Sequence, residues 1–292
     1  MSLLDYPDGV HLNVPAATYH ERTMGLVSSS SISQLGPRTP AHYHRWVTAS
    51  EPDEETPALT FGRAWHCATL EPEVFGKSYA VQPDFGDCRA NPKTGTTKEE
   101  GAKNKAARDA WRMQHAGREF LAHDDYQTIV GMAATVRSHP LASKMLHGGV
   151  AEATVLWTDP ETQLRCRVRP DYWVKQRGLV VDIKSTMDAS EYGFTKSVFQ
   201  YGYHRQHALY RTGLAAIGAP ARHFVFVVVE KFPPYAVATY TLDEEAVAIA
   251  LDELRSSMRL LRDCMQLNMW PGYPVAIRQL KTPQWKSKKE AA

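Results

Sequence analysis

Residues 167–186, RVRPDYWVKQRGLVVDIKST, hold the side chains of this chain best suited to chemistry. Leu179–Lys184 reads as an apolar strand. Alternation puts Leu179, Val181 and Ile183 on one face and Val180, Asp182 and Lys184 on the other. A carboxylate and an ammonium thus project together from a strand expected to be central, and burying them is costly unless each finds a partner or a metal. Asp171 sits near the end of the preceding strand, and a hairpin closing through Gln176–Gly178 would bring it beside Asp182. Two carboxylates at one point repel unless a cation lies between them, and oxygen ligands suit Mg²⁺ or Mn²⁺. Lys184 beside such an ion would stabilise charge developing on a phosphoryl oxygen. A strand-end ion pair accounts for the same residues equally well, although Asp182-Ile183-Lys184 is the only Asp/Glu-x-Lys triplet in the chain.

The elements that must hold these groups follow from local pattern. Ser caps precede a short helix at 28–36, stopped by Gly36, Pro37 and Pro40. Pro57 opens a helix over 57–70, and Pro72 follows its end. Residues 84–106 are polar and read as a surface loop, with a helix near 106–119 and another over 124–138. Three strands then form a meander: 152–158 and 164–175 around DPETQ, and 179–184 after Gly178. A helical stretch over 190–217, broken near Gly202, leads to strands 222–230 and 235–242. Asp243 caps a long amphipathic helix to about 268. This order predicts an α/β fold with a mixed central β-sheet flanked by helices.

Composition excludes several classes. Of 292 residues, 34 are Lys or Arg and 32 Asp or Glu, a formal net charge of +2. No apolar run approaches the ~18 residues of a membrane helix, and MSLLDYPDGV lacks the features of a signal peptide, so a cytoplasmic protein away from membranes is expected. The four cysteines, Cys67, Cys88, Cys166 and Cys264, lie too far apart in sequence for a zinc or iron–sulfur motif. Neither G-x-x-x-x-G-K-[ST] nor G-x-G-x-x-G occurs, so no bound nucleotide is expected.

Further residues, in order, carry a resemblance: SSSSISQLGPRTPAHYH, FGRAWHCATLEPEVF, Glu152 opening a strand, Arg169-Pro170-Asp171, DIKST, and Gln206-x-x-x-Tyr210. From about residue 17 to 265 the chain resembles the RecB-like branch of the PD-(D/E)XK nucleases, most closely the nuclease domain of the exonuclease VIII (RecE) group of phage and prophage origin. The resemblance implies a restriction-endonuclease-like core. It implies that His66, Asp171 and Asp182 ligate Mg²⁺ (or Mn²⁺), with Ile183 giving a backbone carbonyl and Glu152 supporting the metal shell. Lys184 is then the catalytic lysine, acting with Asp182, Asp171 and Glu152, while Gln206 and Tyr210 line a DNA path. Without the resemblance, His66 suits a satisfied helix-face histidine, and Gln206 and Tyr210, four apart, suit packing. Thr39 stands where some relatives carry a cysteine before the early proline, so no iron–sulfur cluster is implied.

The implied activity is metal-assisted hydrolysis of DNA phosphodiesters, 5′ to 3′ from duplex DNA ends, in DNA recombination. An endonuclease on the same core, or a DNA-binding protein with a vestigial site, remains open. The resemblance also implies a single-strand annealing partner and a ring-like homo-oligomer, trimeric or tetrameric. One nuclease domain over 1–292 is expected: a helical and loop segment at 1–60, a Lys-rich insertion at 84–108, the catalytic sheet at 150–245 and a basic tail at 278–292. A near-neutral chain that holds phosphates must concentrate its positive charge. Arg165, Arg167 and Arg169 share a face with Asp171 if alternation holds to Pro170, so Arg167 and Arg169 are expected to clamp DNA. Balancing acidic neighbours on an edge is the other reading of these arginines, and the lysines of 89–108 and of the tail read as solvated.

Overall fold

The computed structural model describes residues 2–49 and 56–280; the tail lysines from Lys281 onward lie outside them. The chain runs through β1 (Gly9–His11), α1 (Ala16–His20), β2 (Leu26–Val27), α2 (Ser29–Leu35), α3 (Pro40–Thr48), α4 (Pro57–Leu70) and α5 (Pro72–Ser78). Next come β3 (Tyr79–Val81), α6 (Lys98–Gln114), β4 (Glu119–Leu121), α7 (His123–Ser138), α8 (Ala142–Met145), β5 (Val150–Ala151), β6 (Thr154–Thr158), β7 (Arg165–Val168) and β8 (Tyr172–Val174). The rest is β9 (Leu179–Thr186), α9 (Glu191–Tyr201), α10 (Tyr203–Ala216), β10 (His223–Glu230), β11 (Val237–Tyr240) and α11 (Glu244–Leu267).

Two sheets dominate. The five-stranded one has the order β11-β10-β9-β8-β5, and the four-stranded one β1-β6-β7-β2. β8 and β9 pair antiparallel through a tight connection at Gly178, whose φ of +58° suits glycine. β10 runs parallel to β9, with α9 and α10 as the crossover that a parallel pair requires. This is the expected mixed α/β architecture.

β9 is buried on both faces, and its period of two sorts its residues between two cores. Val180 packs with Phe224, Phe226 and Leu209 on the α10 side, whereas Leu179, Val181 and Ile183 pack with Trp65, Ile129 and Val229 on the side of α4 and α7. Asp182 and Lys184, sharing the Val180 face, therefore point toward α10.

Two expectations about elements need correction. The strand expected over 164–175 is two strands in two sheets: β7 ends at Val168, Pro170 lies in the gap, and β8 starts at Tyr172. Proline has no N–H for a ladder, so the chain leaves one sheet there and enters the other. The helix expected near 106–119 begins at Lys98. Thr97 and Glu100 form a capping box at its start, and the helix is polar because most of it faces solvent. Its one buried residue, Gly101, lies so close to the Arg89 backbone that a Cβ would come within 2.7 Å of the Arg89 carbonyl carbon. Weak apolar periodicity marks exposure here, not the absence of a helix.

Candidate metal centre

His66 lies in the third turn of α4. Thr56 caps that helix by accepting the Leu59 N–H, and Pro57 fits its first turn. Buried Trp65 locks the neighbouring position and sets the ring of His66 on its edge, 5.2 Å between centroids. His66 Nδ1 stands 3.7 Å from Asp171 Oδ1. Burial, and then the Lys184 ammonium, lower the His66 pKa to about 4. The ring is thus neutral at physiological pH and free to use a nitrogen lone pair.

Asp171 occupies the gap between β7 and β8, one step beyond the Tyr172–Val181 pair, and so faces Asp182 across the hairpin. Its Oδ2 accepts the Ile183 N–H at 2.7 Å. Burial holds its carboxyl above the ordinary range, against the pull of Lys184. Glu152 sits in the gap between β5 and β6 with φ +52°, a left-handed conformation rare for a residue with a side chain. Its N–H donates to the Asp171 carbonyl at 3.2 Å, fixing the two acids to each other through the backbone. Burial, and next the charge of Asp171, raise the Glu152 pKa to about 8.

One ligand atom from each of His66, Glu152 and Asp171 lies within 4.8 Å of the other two. One imidazole nitrogen and two carboxylate oxygens converging in a partly buried site fit a small divalent cation. Burial is the main reason both carboxyls are raised, with the charge of Asp171 adding to it at Glu152, and a cation between them would favour their ionised forms.

Asp182, the other carboxylate expected at the metal, lies beside these three groups on β9. Fully buried, it spends Oδ2 on Lys184 Nζ at 2.5 Å and Oδ1 on the Gln206 Nε2–H at 2.8 Å. It adjoins the three converging donors without being one of them. Burial raises its pKa to about 6, with Lys184 acting in the opposite direction. Burial disfavours the Lys184 ammonium, but Asp182 and Asp171 more than offset it and hold the lysine above its usual value. A backbone hydrogen bond links Ile183 to His66.

The remaining expected residues act as supports. Gln206 orients Asp182. The Tyr210 hydroxyl, buried, donates to the Arg169 carbonyl at 3.0 Å and so braces the segment that carries Asp171. The two arginines do not face an open path as expected: Arg167 and Arg169 are only 4% and 7% exposed. Arg169 donates to Thr154 Oγ1 and to the Val14 carbonyl, and both guanidiniums stack on Tyr19 at 5.1 and 4.0 Å. The break at Pro170 removes the alternation on which their placement beside Asp171 depended. Arg165 pairs with Asp8. Sequence reasoning missed Tyr203, whose ring lies 4.8 Å from Lys184 Nζ; the signal was its place three residues before Gln206, on the same face of a helix.

Over residues 28–282 the chain matches the family described as a PDDEXK-like domain of unknown function (DUF3799). The chain belongs to that family. No curated protein sequence matches this PDDEXK-like chain. Among solved structures it is similar to a candidate exonuclease from Eubacterium rectale, at 11% identity and a TM-score of 0.58, over 94% of this chain and 96% of the other. That likeness shows the fold. A phage-related exonuclease from Haemophilus somnus 129PT matches at 12% identity over 63% of this chain and 92% of its own, with a TM-score of only 0.29. Among the described residues of the PDDEXK-like chain, no helix is long and apolar enough to cross a membrane.

Proposed function

We propose that the protein is a metal-dependent deoxyribonuclease, acting as a 5′ to 3′ exonuclease on duplex DNA ends in recombination. The observation that carries this reading is the convergence of His66, Glu152 and Asp171 beside the Asp182–Lys184 pair. His66, Glu152 and Asp171 would hold Mg²⁺ or Mn²⁺, which supplies Lewis acidity toward a phosphodiester and its attacking water. Lys184 offers a fixed ammonium to the charge that develops on phosphoryl oxygen. Asp182 keeps that ammonium protonated and aimed, Gln206 keeps Asp182 in place, and neutral His66 leaves its lone pair available. Polarity, the preference for ends, an annealing partner and a ring-shaped oligomer belong to the proposal through the resemblance to the exonuclease VIII group.

The test is digestion of linear duplex DNA with Mg²⁺ by wild type, Asp182→Ala and Lys184→Ala. Wild type should degrade linear DNA from its ends and leave covalently closed circles intact. Cleavage of circles would replace the exonuclease with an endonuclease on the same site. Equal digestion by all three proteins would remove these residues from the chemistry.

A further inference from the structure

Tyr203, Gln206 and Tyr210 fall at i, i+3 and i+7, and so line one side of α10. Gln206 and Tyr210 are committed to Asp182 and to the Arg169 carbonyl. Tyr203 has no such duty. Its ring is seated on the core through Phe194 and Phe226, and its face lies 4.8 Å from Lys184 Nζ. On its outer side, 5.8 Å away and tilted by 37°, stands the ring of Tyr201, which is 60% exposed.

This adjacency needs a special backbone. In an unbroken helix, residues two apart point to nearly opposite sides. Gly202, with φ +74°, ends α9 and starts α10, and the change of direction brings the two tyrosines together. A side chain at residue 202 would be strained in that conformation and would press on the Arg205 guanidinium, 2.6 Å from an ideal Cβ. The result is a two-ring path from the partly buried ammonium of the site to solvent. Tyr201 buries too little for core packing to account for its position.

Resting on the nuclease reading, we propose that Tyr203 and Tyr201 form a stacking lane for the unpaired bases of the DNA strand whose phosphate lies at Lys184. A cation for the backbone and aromatic faces for successive bases is the combination by which proteins hold single strands without reading sequence. The lane is continuous with the candidate site, and at its inner end stands the Lys184 ammonium that a phosphate would meet.

The test measures binding and a small-substrate reaction separately. A fluorescein-labelled oligodeoxythymidylate is titrated in Ca²⁺ by fluorescence anisotropy, with wild type, Tyr201→Ala, Tyr201→Leu and Tyr201→Phe. Hydrolysis of bis(p-nitrophenyl) phosphate, too small to reach residue 201, is followed in parallel with Mg²⁺. Loss of one stacked base should weaken oligonucleotide binding about five-fold or more in Tyr201→Ala and Tyr201→Leu, with Tyr201→Phe near wild type. Hydrolysis of the small diester should stay equal in all four. Unchanged binding by Tyr201→Ala, absent binding by wild type, or full rescue by leucine would overturn the lane. Weakened binding together with no hydrolysis of the diester or of linear DNA by wild type would support the lane and overturn the nuclease reading.

Discussion

Asp171 and Asp182 face each other across one hairpin, yet their surroundings differ in kind. Asp182 has an internal partner on each oxygen, an ion pair with Lys184 on one and a hydrogen bond from Gln206 on the other. Asp171 has a single backbone N–H on Oδ2 and turns Oδ1 toward His66 and Glu152, neither of which brings a fixed positive charge. One carboxylate has its counter-charge built into the fold; the other has a backbone N–H and a neutral imidazole. The pair shows how a protein can bury two acids side by side and give a fixed positive partner to only one of them.

The sharpest way to break that comparison is to remove the internal charge. Lys184→Ala should lower the rate on linear duplex DNA by about 10²–10³-fold, the usual loss when one charge-stabilising donor is removed. Asp182→Ala leaves the ammonium buried without its partner and should also cost about 3–5 kcal/mol in denaturant unfolding. If Asp182→Ala is as stable as wild type, Asp182 is not the charge that holds Lys184.

A smaller effect is expected from the support. Gln206→Leu strips Asp182 Oδ1 of its donor and should cost about 1–3 kcal/mol of stability. The same change should lower the rate by about 10–100-fold, the range typical of residues that orient a site. A rate loss with no change in Mg²⁺ affinity would place Gln206 on the Asp182 side of the comparison alone.

The Asp171 side is tested by pH. Glu152, at about 8, lies above its ordinary 4.5. Its contribution to the stability of the metal-free protein is therefore full below the ordinary value and is lost as pH rises through about 8. His66, lowered to about 4 from 6.5, has the opposite sign, but its contribution is complete above 6.5. Between pH 6.5 and 8 the melting temperature of metal-free protein should thus fall more in wild type than in Glu152→Gln. Mg²⁺ should bind more tightly as pH rises over the same window, because the carboxyl must ionise to ligate. Equal slopes for wild type and Glu152→Gln would mean that Glu152 is not the titrating acid.

The smallest change is Tyr210→Phe, which deletes the hydroxyl donated to the Arg169 carbonyl. About 0.5–1.5 kcal/mol should be lost in denaturant unfolding, with the raised carboxyls otherwise unaltered.

Local rules made much of the fold legible. Caps and prolines located α2, α4 and α11, and alternation located β9 with Asp182 and Lys184 on one face with Val180. The break at Gly202 was visible as well. What could not be read depended on distant parts of the chain. Whether residues 164–175 serve one sheet or two is decided by which partner strand each half meets, and Pro170 only permits the split. Arg167 and Arg169 looked like phosphate ligands because alternation was carried through that split. Tyr19, which stacks on both, lies far upstream with nothing local to connect it. Glu152 could be noticed as a lone acid, but its left-handed backbone, which turns it toward Asp171, follows from the tertiary structure. The start of α6 at Thr97 was legible in principle, since T-x-x-E is a local signature that low apolar content obscured.

The three converging donors come from α4, from the gap between β5 and β6, and from the gap between β7 and β8, segments that meet only once both sheets are assembled. No fragment of the chain shorter than residues 66–171 carries all three donors. Contacts between positions so distant in sequence form late and slowly. An ion that binds only the finished site stabilises the native state and leaves partly folded chains untouched. On the nuclease reading proposed above, a chain still emerging from synthesis would lack the assembled donors and could not attack nucleic acid.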